Sequence, residues 1–137
     1  MYGSNDIRYN DKKLPKLIER IETLLNLTQL KETITLFFTS IIPSPRTDRT
    51  SKHHYRKFNN LVETMVRHHP RAVFINITKH MFRNFGATFL NSMYKRDGIH
   101  LNKEGAMQVA QYIFESMNEH ASQSKQPPAQ HTPTTIP

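Results

Sequence analysis

The chain has 137 residues, no cysteine and a formal net charge of +8. That length allows one domain with a real core, and the missing cysteines exclude a disulfide framework and thiolate zinc sites. No run approaches the ~18 apolar residues of a membrane span and no signal-peptide core opens the chain, so an intracellular, cytoplasmic protein without a membrane span is expected.

In chain order, Leu14, Leu17, Ile18, Ile21, Leu24 and Leu25 recur at helical spacing and predict a helix over 14–27. Asn10 or Asp11 could cap it, and Pro15 suits a first turn. "TITLFFTSII", residues 33–42, is β-branched, aromatic and stopped by Pro43. It reads as a strand buried on both faces, as in a parallel sheet. "PSPRTDRTSK" is a loop, and a second amphipathic helix is expected from about Lys52 to His68, with Tyr55, Phe58, Leu61, Val62, Met65 and Val66 on its apolar side.

"AVFINI", residues 72–77, is a second buried strand, and residues 78–95 suggest a broken helix under the core. A last helix, from about Asn102 to Glu119, shows a stripe of Ala106, Val109, Ala110, Ile113, Phe114 and Met117. From about Ala121 the chain is rich in Pro, Ser, Thr and Gln and is expected to be a disordered tail, leaving residues 1–120 as the folded part. Helices alternating with strands indicate α/β architecture with a parallel sheet. Two strands are few for such a sheet, which leads one to expect a chain that starts partway through a domain.

The charge is uneven. Between Arg46 and Arg83, nine Lys/Arg stand against Asp48 and Glu63, a local excess of +7. A basic segment of this kind attracts polyanions, RNA foremost, or is a solvated helix face and loop. Its candidate contacts are Arg46, Arg49, Lys52, Arg56, Lys57, Arg67, Arg71 and Arg83. The histidine pairs His53–His54 and His68–His69 are poor chelates, because adjacent helical residues point about 100° apart. No metal site is expected. Four glycines cannot supply G-x-G-x-x-G, so no nucleotide cofactor, and no other cofactor, is expected.

Two short motifs bear on chemistry. Gly3-Ser4-Asn5-Asp6 sets a flexible backbone position beside an amide donor, the kind of group an oxyanion hole needs, or is an ordinary turn. Asp97-Gly98-Ile99-His100 sets a carboxylate three residues before an imidazole, ahead of the helix-capping Asn102, or is only a turn and a cap. Together and in this order they resemble the SGNH (GDSL-type) hydrolase family of esterases and lipases, whose fold is a flavodoxin-like three-layer α/β sandwich. "HLNKEGA" resembles the family's lead-in to its final helix, "IIPSPR" its strand ending in a Pro- and Arg-containing loop, and "YRKFNNLVETMV" the following helix, where an asparagine (Asn59 or Asn60) is common. The match spans roughly residues 1–118.

The resemblance implies that His100 is a general base, that Asp97 orients it, and that Asn5, with Gly3 beside it, serves the oxyanion. It implies a carboxylic ester of a small molecule or acyl group as substrate. The family's nucleophilic serine belongs to a Gly-Asp-Ser block that this sequence does not contain. Three origins fit: part of a working esterase, with the isolated chain inactive; a decayed relative; or a catalytically silent RNA-binding module like the Oskar C-terminal domain.

Overall fold

A computed structural model of the chain describes residues 13–28 and 33–124. The first helix, α1 (Leu14–Thr28), buries Leu14, Leu17, Ile21 and Leu25, the i, i+3, i+7, i+11 stripe of an amphipathic helix, and leaves Leu24 outside. Its expected caps, Asn10 and Asp11, lie outside the described residues, as do Gly3 and Asn5.

The two expected strands are present and parallel. β1 (Leu36–Thr39) pairs with β2 (Ala72–Ile75) in the register Leu36–Ala72, Phe37–Val73, Phe38–Phe74 and Thr39–Ile75. Both are shorter than the apolar runs that announce them. The Ser40 N–H still donates to the Ile75 carbonyl at 3.1 Å, but from Ile41 the backbone is held by side chains, and Ile77 already begins a helix. The crossover between them is α2 (Arg49–Arg67), which buries Tyr55, Phe58, Val62 and Val66. It starts three residues before the expected Lys52, because the Asp48 carboxylate caps it, accepting from the Ser51 N–H at 2.7 Å.

After β2 the chain forms α3 (Ile77–Phe85) and α4 (Thr88–Ser92), separated at Gly86, whose φ of 57° lies in the left-handed region. This is the expected broken helix, and it buries Met81 and Phe89. The last helix, α5 (Lys103–Ser124), runs past the expected tail boundary at Ala121; residues 125–137 lie outside the described ones.

Alternation along the strands distributes two cores. Phe38 and Phe74 pack with α1 and α2, while Phe37, Val73 and Ile75 pack with α3, α4 and α5. Helices therefore cover both faces of a two-stranded parallel sheet. The strands are nonetheless half-buried rather than fully buried: only Ile75 among their eight residues is buried. A groove of about 650 Å³ between α1, α2 and β1 is lined by Leu24, Phe37, Phe38 and Thr39.

The face that α5 turns inward corrects the sequence expectation. Val109, Tyr112 and Ile113 pack on the core, whereas Ala106, Ala110, Phe114 and Met117 are exposed. Two overlapping apolar stripes are available on this helix, and Gly105 selects between them. A Cβ there would stand 2.3 Å from the Met93 carbonyl oxygen, so only glycine lets the first turn of α5 seat against residue 93.

Candidate active site

The loop from Met93 to Asn102 folds back on itself. Tyr94 and Leu101 form an antiparallel bridge, the Lys95 N–H donates to the His100 carbonyl at 2.8 Å, and the Gly98 N–H donates to the Lys95 carbonyl at 2.9 Å. Gly98 closes that turn with a φ of 69°, which L side chains rarely adopt. Asn102 then starts α5, its side-chain oxygen accepting from the Gly105 N–H at 2.8 Å while its amide donates to the Ser92 carbonyl at 2.7 Å.

Inside this turn Asp97 uses both oxygens. Oδ1 accepts from the N–H groups of Ile99 at 2.8 Å and His100 at 3.0 Å; Oδ2 lies 2.7 Å from Nδ1 of His100. The backbone N–H of His100, then its ring, then the N–H of Ile99 hold the carboxyl well below the usual carboxylate range. An ionised carboxylate at 2.7 Å fixes the tautomer of a neutral His100: Nδ1 carries the proton and Nε2 keeps the lone pair. The ring is 71 % exposed, and among the described residues no hydroxyl is hydrogen-bonded to it.

The loop sits at the C-terminal end of the parallel pair, where open α/β folds place their sites. The Arg46 N–H donates to the Gly98 carbonyl at 3.2 Å, and the Tyr94 hydroxyl donates to the Pro43 carbonyl at 2.8 Å. Both partners belong to the segment that leaves β1. Burial pushes the Tyr94 hydroxyl pKa up, so it stays a donor.

The same end of the sheet is tied by a chain of side-chain bonds. The Thr78 N–H donates to Oγ of Ser40, whose hydroxyl lies 3.0 Å from that of Thr78, and the Thr78 hydroxyl donates to the Ile41 carbonyl at 2.9 Å. Ser40 is buried and committed to this network. Asn59 completes it by clamping Ile41, which gives the asparagine of "YRKFNN" a structural role.

A cleft of about 380 Å³ opens here between α2 and α3, lined by Ile41, Pro43, Phe82 and Leu90 together with Lys52, Arg56 and Lys79. Neither Asp97 nor His100 lines it. Sequence reasoning missed Lys79, although its place just after the second strand, three residues beyond the helix-capping Asn76, was a usable signal.

The eight basic candidates do not form one surface. Arg49, Lys52 and Arg56 share a face near the start of α2, at i, i+3 and i+7, and Lys57 is turned from it by about 100°. Arg67 stands at the other end of α2, about 27 Å away at 1.5 Å per residue, paired with Glu63 at 3.0 Å. Arg71 is half-buried and donates to the Thr28 carbonyl. Arg46 lies against Gly98 at the opposite end of the sheet from Arg71, and Arg83 is on α3. Among the described residues no three metal-ligating side chains are grouped, and no helix is long and apolar enough to cross a membrane. Comparison with family models, with curated proteins and with solved structures returned no match.

Proposed function

We propose that this chain is the C-terminal part of an SGNH-type serine esterase and supplies its Asp–His pair. The observation that carries the proposal is the Asp97 carboxylate holding Nδ1 of His100 at 2.7 Å, in an Asp-x-x-His loop at the C-terminal end of a parallel strand pair. Nε2 of His100 is then the base that takes the serine proton as the hydroxyl attacks the ester carbonyl. Asp97 steadies the imidazolium, and the proton passes on to the leaving alkoxide. Asn5, with Gly3, donates to the oxyanion in this scheme. The serine comes from a Gly-Asp-Ser turn outside these 137 residues, so the isolated chain hydrolyses esters no faster than a free imidazole would.

The eight basic side chains of the RNA-binding alternative are divided, with Arg67 and Arg71 at the other end of the sheet from Arg49, Lys52 and Arg56, which favours the esterase reading. The exposed, carboxylate-oriented histidine gives the esterase role a concrete atom.

The test uses protein expressed from the complete coding sequence and a fluorophosphonate that labels activated serines. One labelled serine within a Gly-Asp-Ser turn, with labelling abolished by His100→Ala, is the expected result. No labelled serine, or labelling indifferent to His100, removes the esterase role.

A further inference from the structure

We propose that the cleft between α2 and α3 is a binding site for a small phosphate monoester with an apolar body. Its lining is one-sided in charge: Lys52, Arg56 and Lys79 face it, and among the described residues no carboxylate does. None of the three enters an ion pair among the described residues, so their charge is uncompensated by the described fold. Cations of one sign around a concave, partly apolar wall focus potential onto a bound anion. A lining charge of +3 favours a dianion over a monoanion, and a phosphate monoester carries close to two charges above its second pKa of about 6. Arg56 offers a planar fork that matches phosphate oxygens, the two lysines add point charges, and Asn60 adds an amide.

The rest of the cleft selects the body of the ligand. Ile41, Pro43, Phe82 and Leu90 form an apolar wall. The volume of about 380 Å³ lies at the small end of ordinary ligand sites, suited to a head group and one ring rather than to a polymer. The walls are rigid where it matters. Ile41 is fixed by Asn59 and Thr78, and Asn76 caps α3 so that Lys79 is presented from the helix's first turn. This site stands independently of the esterase role, since neither Asp97 nor His100 contributes to it.

The full chain is titrated at low ionic strength with phenyl phosphate, inorganic phosphate and phenol, followed by calorimetry and by amide NMR shifts. Phenyl phosphate should saturate and move amides around Lys52–Asn60 and Asn76–Phe82, phosphate should bind the same place more weakly, and phenol should not bind. Arg56→Gln and Lys79→Gln, both on exposed side chains, should each weaken phenyl phosphate at least about fivefold, as expected for loss of one charge-assisted contact. Arg67→Gln, outside the cleft, should leave it unchanged. The proposal is overturned by absence of saturable binding, by an equal loss in Arg67→Gln, or by an RNA oligomer without terminal phosphate binding more tightly through Arg56 and Lys79.

Discussion

The side-chain amide of Asn59 closes a ring with the backbone of Ile41, accepting from its N–H at 2.8 Å and donating to its carbonyl at 3.1 Å. The amide thus takes the place of a ladder partner just where β1 runs out of one, and it ties α2 to the loop that carries Pro43. Asn59→Leu keeps the size but leaves both groups of a buried residue without that partner. The expected cost is about 1–3 kcal/mol, read as a lower urea midpoint with an unchanged denaturant slope. An unchanged midpoint would show that water replaces the amide freely.

Two glycines of the candidate site should differ in what they tolerate. Gly105→Ala drives a methyl into the Met93 carbonyl, a backbone atom that cannot step aside, and should cost about 3 kcal/mol or more. Gly98→Ala meets only the flexible Arg46 side chain at 3.0 Å and pays mainly for its positive φ, about 1–2 kcal/mol. Chemical denaturation of the two variants should give that order. The reverse order would mean that α5 does not seat on residue 93.

The depressed pKa of Asp97 has a definite sign in stability. Its folded value lies below the unfolded value of about 3.9. The stabilisation is therefore fully present above the unfolded value and is lost as pH falls through the folded one. The group is exposed, so the effect is small, but a carboxyl-carbon NMR titration resolves it directly. Its midpoint should lie below the ordinary range in the wild type. It should rise only part of the way in His100→Ala, because the N–H groups of residues 99 and 100 remain. A full return to the ordinary value would assign the shift to the imidazole alone.

The orientation of α5 can be tested with adjacent residues. Ile113 packs on the core, whereas Phe114 is 65 % exposed. Ile113→Ala should cost about 2 kcal/mol or more, and Phe114→Ala should stay within about 0.5 kcal/mol. Equal losses in thermal denaturation would mean that the outer face of α5 is covered in solution.

How far the sequence could be read depended on whether one physical signal dominated each segment. β-branched and aromatic runs, the first ended by Pro43, made the two strands and their parallel pairing legible, although the second run reads through the capping Asn76 to Ile77. Their exact ends were not, because Asn59 and Thr78 take over the backbone of Ile41, and such long-range side-chain bonds leave no periodic trace. The azimuth of α5 was hidden because two apolar stripes overlap and a glycine contact decides between them. Asp97 and His100 were legible because their partnership is local, made within one turn. Lys79 was not, because its neighbours Lys52 and Arg56 come from another helix.

The proposed catalytic role of that local pair is open to a kinetic test. On the proposed esterase role, His100→Ala in protein expressed from the complete coding sequence removes the base and should leave only the rate supplied by binding and the oxyanion donors. Asp97→Asn keeps a side chain of the same shape beside Nδ1, at 2.7 Å in the wild type, but an amide can present its N–H there and stabilise the wrong tautomer. The loss in kcat should approach 10⁴-fold, roughly that of a wrong-tautomer triad. In the same proposed scheme Asn5→Ala removes one oxyanion donor and should cost about 10²–10³-fold. Steady-state kinetics on an ester substrate should rank the variants with Asn5→Ala least impaired. A fully active Asp97→Asn enzyme would reduce the carboxylate to a turn-forming residue and end its assignment to catalysis. Unimpaired Asn5→Ala would leave the Asp–His pair standing and remove Asn5 from the oxyanion site.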